Sequence, residues 1–249
     1  FQLLLVLPPA LFFFFGRSDQ QRSKAAPAPR AERRQTAPGL KMPRLSAEVR
    51  DALLSRTFLC LAVAALLFLT SASFMLVHFV PILTNNGIDR ATAAMIAGAI
   101  GGSSMVGRVV TGLFLDRFDA SKIGTLAFSV PLISVVLLLN GGASEIVALL
   151  AAICLGLGLG AELDVVAYLT SRYFRMSMFG VLFGVIVGLM NLGIAFGPVI
   201  AAHVYDVTQS YKLSLVLMSV VLAISSLLVL ICGEAQKRAT SLAGRVGSQ

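Results

Sequence analysis

Arg108 is the one charged side chain in residues 91–115, an otherwise uncharged and largely apolar stretch. An ionised side chain in the middle of a membrane helix costs about 2.5–3.5 kcal/mol on insertion scales, so its presence needs an explanation. Ser104 and Thr111 share its helical face, which makes that face small and polar. The planar guanidinium fits a carboxylate through two parallel hydrogen bonds, so Arg108 is a candidate ligand for an organic anion. An ion pair within the protein and a side chain that snorkels to the cytoplasmic headgroups are the two alternatives.

Ser104, His78 and Asn191 are further polar side chains in apolar stretches, and we expect them to contact the same ligand. His78 could donate or accept a hydrogen bond, or accept a proton, in a cavity. A buried histidine whose hydrogen bonds are satisfied within the protein fits its position equally well. Asn191 is the one amide in residues 177–201 and could face either a substrate or another helix.

A second polar group, near the end of another apolar stretch, consists of Glu162, Asp164 and Tyr168, followed by Arg172. Two residues that are two positions apart on a helix point roughly 200° away from each other. Glu162 and Asp164 are therefore not expected to form one shared carboxylate site. We predict that one faces a cavity while the other pairs with a neighbouring helix, as part of a structural or gating ion pair.

Catalytic and metal chemistry find no support in the sequence. No nucleophile–base set or metal-ligand cluster is visible in the apolar stretches, so we expect no enzyme activity, catalytic residue, cofactor or metal. The three cysteines stand singly in apolar runs and are expected to act as small core hydrophobes. The run GLGLG at 156–160 lacks the context of a nucleotide loop. It and the glycines at 180, 184, 188, 193 and 197 are predicted to permit close helix packing.

The elements that carry these residues are predicted to be membrane-spanning helices. The sequence is 57% hydrophobic and only 13% charged, with a mean hydropathy of +0.88, which excludes a soluble globule. A helix needs about 20 apolar residues to cross the hydrocarbon core of a bilayer. Six stretches satisfy this requirement and are predicted as spans, at 58–83, 91–115, 123–142, 146–170, 177–201 and 212–232. The fold class is therefore an all-α membrane protein with a six-helix transmembrane bundle at 58–233.

The segment before the bundle has a different character. Residues 1–16 are apolar, but sixteen helical residues cover only about 24 Å, so we interpret them as the end of a truncated transmembrane span. Residues 17–57 are rich in Arg, Ala, Pro and Gln and are predicted to be a basic linker, with a short amphipathic helix from Ser46 to Arg56. Residues 234–249 form the predicted tail.

Positive charge sets the predicted orientation. If the linker and the tail are cytoplasmic, seventeen of the twenty Lys and Arg residues are inside, and only Arg90 and Lys212 lie outside. This asymmetry follows the positive-inside rule and accounts for the net charge of +8 without nucleic-acid binding. Polar residues near the cytoplasmic helix ends are predicted to form a cytoplasmic gate: Asp116, Arg117, Glu162, Asp164, Tyr168 and Arg172.

Two sets of motifs resemble a known family. The string GRVVTGLFLDRFDASK, with Gly112, Asp116 and Arg117, resembles the cytoplasmic loop motif of the major facilitator superfamily, although Asp119 replaces a glycine of that motif. The strings GLGLGAELDVVAYLTSRYF, FGVLFG, GIAFGP and SYK resemble the bacterial monocarboxylate-transporter-like branch, which includes oxalate/formate exchangers.

The resemblance implies twelve spans and alternating access, with this chain supplying the end of the sixth span and the last six. It also implies that Arg108 is the carboxylate-binding arginine of the eighth span. At two positions the chain departs from its relatives. Proton-coupled members carry an Asp where this chain has Ser104, and oxalate exchangers add a Lys that residues 176–205 lack.

Together these observations predict secondary active transport of small organic anions, with monocarboxylates favoured, in a bacterial-type inner membrane. The expected partners are the anion, a coupled proton or an exchanged anion, membrane lipid and a missing N-terminal six-helix half. A non-transporting membrane scaffold or sensor with the same bundle is the alternative, in which the polar residues serve only to hold helices together.

Overall fold

The structure, a computed structural model, describes residues 47–141 and 143–246, with side chains described up to residue 234. These ranges form helices joined by short connections. The helices are α1 (Ala47–Leu53), α2 (Arg56–Asn85), α3 (Arg90–Arg117), α4 (Ala120–Gly141), α5 (Glu145–Tyr173), α6 (Met176–Thr208) and α7 (Tyr211–Val246). Helices α2 to α7 are long and apolar enough to cross a membrane, and they match the six predicted spans one to one. The predicted all-α membrane fold is thus confirmed.

The predicted N-terminal elements fall mostly outside this part of the chain. The truncated span at 1–16 and most of the linker at 17–57 are not among the described residues. Helix α1 lies where the sequence predicts a short helix, and α2 begins at Arg56, two residues before the predicted start of the bundle.

Local sequence signals explain where the helices begin and end. The Ser55 side chain accepts a hydrogen bond from the Phe58 N–H at 3.2 Å and caps the start of α2. The Asp89 carboxylate accepts from two backbone N–H groups at the start of α3. Gly87, with φ of 94°, makes the left-handed turn between these helices, which a glycine adopts at little cost.

The helix contacts repeat with an approximate twofold pattern. Helix α2 packs against α6 and α7, as α5 packs against α3 and α4, and α4 packs against α7. Exchanging α2, α3 and α4 with α5, α6 and α7 reproduces these contacts, so the bundle consists of two equivalent three-helix units. In the most apolar windows of α2 and α5, 61% and 50% of residues are buried, against 22% in both α3 and α6. Helices α3 and α6 therefore each leave a face uncovered.

Glycines permit the closest helix approaches, as predicted for two of the glycine groups. A Cβ atom at Gly156 or Gly160 would collide with backbone carbonyls of α3, at Ile100 and Ser104 respectively. A Cβ atom at Gly197 would likewise collide with the backbone carbonyl of Thr70 in α2. These contacts fix α5 on α3 and α6 on α2 at backbone distance.

Within the described residues, no helix packs against the remaining glycines of α6. Nothing lies within 4 Å of a Cβ atom built at Gly180, Gly184 or Gly188. The physical reason is their position on the uncovered face of α6, where no other helix of the bundle reaches. Spacing alone marks a small-residue face but does not say which neighbour covers it.

Candidate functional site

Arg108 lies at a cavity between three helices. The cavity measures about 400 Å³ and is lined by Ser104 and Arg108 of α3, Leu159 and Gly160 of α5, and Leu76 of α2, among others. The close approach at Gly160 places the α5 backbone against the Arg108 backbone, so the root of this side chain is held firmly. Two of the four predicted substrate ligands, Arg108 and Ser104, are thus brought together.

The Arg108 side chain forms an ion pair with α5. Its Nε atom lies 3.7 Å from Oδ2 of Asp164, and 61% of the Arg108 side chain and 36% of the Asp164 side chain are exposed. At 3.7 Å the two atoms are farther apart than in an N–H···O hydrogen bond, so the contact is loose. The pair therefore orients Arg108 without closing the cavity to another anion.

Ser104 lies one helical turn before Arg108 on the same face. Its hydroxyl donates to the carbonyl of Gly101 at 2.8 Å, a bond within α3. The donor of this hydroxyl is therefore engaged, while its lone pairs can still accept a hydrogen bond. Ser104 can therefore accept a hydrogen bond from a protonated group of a ligand, but it does not supply a charge.

Glu162 and Asp164 point in different directions, as their spacing predicts. Asp164 faces α3 and the open side of the bundle, where it meets Arg108. Glu162 is 8% exposed, and its Oε2 atom has no hydrogen-bond partner among the described residues. The two carboxyl groups, predicted together as gate residues, therefore occupy different environments.

The C-terminal ends of α3 and α5 line a second polar cavity of about 360 Å³. Among the residues that line it are four of the predicted gate residues, Asp116, Arg117, Tyr168 and Arg172. Asp164 lines an adjoining groove with Asp116 and Tyr168. Glu162 lines neither space. The structure thus places four of the six predicted gate residues at one end of the bundle, with Asp164 deeper in the adjoining groove.

Asp119 has a structural role that the sequence analysis did not assign. Its carboxylate accepts hydrogen bonds from the Ser121 and Lys122 N–H groups, at 3.1 and 3.3 Å, and so caps the start of α4. An Asp immediately before a helix is a recognised N-cap signal, which could have identified this role. The residue that departs from the family loop motif thus begins the next helix.

His78 and Asn191 lie away from the Arg108 cavity. The Nε2 atom of His78 lies 3.3 Å from the Pro198 carbonyl, and Nδ1 lies 3.4 Å from the Tyr211 hydroxyl. Because a carbonyl only accepts, Nε2 donates in the bond to Pro198. His78 therefore joins α2 to α6 and α7. Asn191 donates to the Val187 carbonyl at 2.8 Å within its own helix.

These features define an integral, multi-pass membrane protein, in which two equivalent helix units form an apolar bundle with an open cavity at Arg108. The model of the Major Facilitator Superfamily matches residues 3–198 and 61–246, and the chain belongs to that family. Members of the family are transporters rather than enzymes, and membership supports a role of the chain in membrane transport. The comparison with curated proteins gave no match.

Proposed function

We propose that the chain takes part in the secondary transport of small organic anions, with monocarboxylates favoured, and that Arg108 is the ligand of the substrate carboxylate. The observation that carries this proposal is a half-exposed guanidinium at an open cavity, held by one weak ion pair. A guanidinium can bind both oxygens of a carboxylate at once, which gives orientation as well as charge neutralisation.

In this mechanism Asp164 acts as an internal stand-in for the substrate. Asp164 forms the ion pair with Arg108 when the cavity is empty, and the carboxylate of an entering substrate replaces Asp164 in that pair. The Asp164 side chain is 36% exposed and also lines the groove next to Tyr168, which gives it room to turn away from Arg108. The charge of the bound substrate is then cancelled by Arg108 in the low-dielectric interior, where an uncompensated ion would be costly.

We further propose that the bundle is the second half of a twelve-helix carrier. The uncovered faces of α3 and α6 support this interpretation, because glycines there, such as Gly98, Gly101, Gly180 and Gly184, meet no neighbour within 4 Å. A second six-helix bundle would cover these faces and provide the opposite wall of the Arg108 cavity. We call this assembly the complete carrier, and we place it in a bacterial-type inner membrane with the linker and tail in the cytoplasm.

The proposal is tested by uptake of labelled L-lactate into proteoliposomes. We expect the complete carrier to take up L-lactate well above protein-free vesicles, whereas the 249-residue chain alone gives no uptake because its cavity has one wall. The control is insertion of the 249-residue chain, confirmed by membrane abundance. Lactate accumulation by the 249-residue chain would contradict the half-carrier proposal. Binding without uptake by the complete carrier would favour the scaffold or sensor.

A further inference from the structure

An apolar groove lies at the C-terminal end of α3, on the side that faces away from the Arg108 cavity. It is lined by Val110, Leu113, Phe114, Arg117 and Phe118. The apolar side chains are exposed, and the rings of Phe114 and Phe118 stand 5.7 Å apart. At about 100° per residue, Leu113 and Arg117 point about 140° and 180° away from Arg108. The groove is therefore separate from the cavity that the proposed mechanism uses.

The groove is continuous with the polar cavity of about 360 Å³ at the same end of the bundle. Arg117 and Phe118 line both spaces, so the two spaces form one site with an apolar part and a charged part. The charged part lies where α3 and α5 end, at Arg117 and Tyr173, and where α4 begins, at Ala120. In a bilayer the ends of the spans lie at the level of the lipid headgroups. The groove reaches from there to Val110, about 10 Å deeper, at the level of the acyl chains.

The charged part of the site has an excess of positive charge. Its charged residues are Asp116, Arg117, Asp119 and Arg172. Both arginines are exposed, and neither forms an ion pair with a residue that the structure describes. The Asp119 carboxylate accepts from the N–H groups that begin α4, which balance its charge. Lys122 adds a further exposed positive charge beside the cavity. The site is therefore complementary to an anion.

We propose that this site binds one anionic phospholipid, with its phosphate at Arg117 and Arg172 and an acyl chain in the apolar groove. A guanidinium fits two oxygens of a phosphate through parallel hydrogen bonds. A soluble anion would use only the charged part and an apolar molecule only the groove, whereas a phospholipid fills both at their natural depths in the bilayer. The bound lipid joins the end of α3 to the end of α5 and leaves the Arg108 cavity untouched. In the proposed orientation it belongs to the cytoplasmic leaflet.

Quenching of a single tryptophan by brominated lipids tests the site in the 249-residue chain, which contains no Trp. Leu113→Trp places the probe in the groove. Leu126→Trp is the matched control, because Leu126 lies near the same end of the bundle, lines neither space and is 61% exposed against 59% for Leu113. Each variant is placed in phosphatidylcholine vesicles with a small fraction of brominated phosphatidylglycerol or, for comparison, brominated phosphatidylethanolamine. We expect phosphatidylglycerol to quench Leu113→Trp more strongly than Leu126→Trp, and phosphatidylethanolamine to quench both equally.

Titration with brominated phosphatidylglycerol measures the contribution of the arginines. In Leu113→Trp, a further Arg117→Gln or Arg172→Gln should each raise the lipid fraction for half-maximal quenching by about fivefold, the effect expected of one basic residue at an anionic lipid surface. Arg90→Gln, at the exposed opposite end of α3, is the control and should leave this fraction unchanged.

Three results would overturn the proposal: equal quenching of the two probes by phosphatidylglycerol, the same excess with phosphatidylethanolamine, or an excess that survives the loss of both arginines. If Leu113→Trp is not recovered folded, native mass spectrometry of the chain without a probe decides the question. The wild type should then retain phosphatidylglycerol in preference to phosphatidylethanolamine, and Arg117→Gln with Arg172→Gln should lose this preference. Equal retention of the two lipids by the wild type would contradict the proposal.

Discussion

Arg108→Lys in the complete carrier is expected to lower uptake of labelled L-lactate by about 10- to 100-fold, although the side chain keeps its positive charge. Lysine lacks the planar fork, so one of two charge-assisted hydrogen bonds to the carboxylate is lost. Such a bond to a charged group is worth about 1.5–3 kcal/mol, which sets the range. Arg108→Ala should lose more. Uptake and membrane abundance are measured on the same preparations.

Arg90→Lys is the matched control, because Arg90 is exposed at the opposite end of α3. It should transport as the wild type does. Wild-type uptake by Arg108→Lys would end the ligand proposal and would favour the snorkelling interpretation. If Arg108→Ala instead loses abundance, and a second substitution, Asp164→Asn, restores it, the pair with Asp164 is structural rather than exchangeable.

Gly160→Ala is expected to reduce the membrane abundance and thermal stability of the 249-residue chain more strongly than a similar change elsewhere on a helix. The new Cβ atom would collide with the Ser104 carbonyl and would lie 3.0 Å from the Arg108 nitrogen, and backbone atoms cannot turn aside. Overpacking of this kind costs about 1–3 kcal/mol, and it would push apart α3 and α5, the helices that hold the ion pair.

Gly184→Ala is the control for this substitution, because a Cβ atom there meets nothing within 4 Å. In a helix interior, Ala is favoured over Gly by about 1 kcal/mol, so this variant should match or exceed the wild type in the thermal unfolding of the 249-residue chain. An equal loss of stability in Gly160→Ala and Gly184→Ala would show that the close approach of α5 to α3 is not the cause.

The spans were predictable from sequence because length and hydropathy act locally, and α2 to α7 match the six apolar stretches. The ion pair of Arg108 with Asp164 was not predictable, because snorkelling, an ion pair and a ligand site all fit a single arginine on a polar helix face. Helical spacing separated Glu162 from Asp164, but it could not say which one would be buried, because that depends on the positions of α3 and α4.

The hydrogen bonds of His78 could not be predicted from sequence either. Its hydrogen bonds to Tyr211 and Pro198 join residues more than a hundred positions apart, and no periodicity in one helix indicates such a contact. The glycines of α5 and α6 mark small faces in the sequence. Only the packing shows that Gly156 and Gly160 are covered while Gly180 and Gly184 are open.

The most direct test of the central claim, that a substrate carboxylate replaces Asp164 at Arg108, is equilibrium binding of labelled L-lactate to the complete carrier with Asp164→Asn. Removal of the internal competitor should tighten binding by about two- to fivefold, which corresponds to about 0.4–1 kcal/mol for a loose ion pair. Tighter binding by Asp164→Asn, together with weaker binding by Arg108→Lys, is the predicted result. Unchanged or weaker binding by a folded Asp164→Asn protein would contradict it.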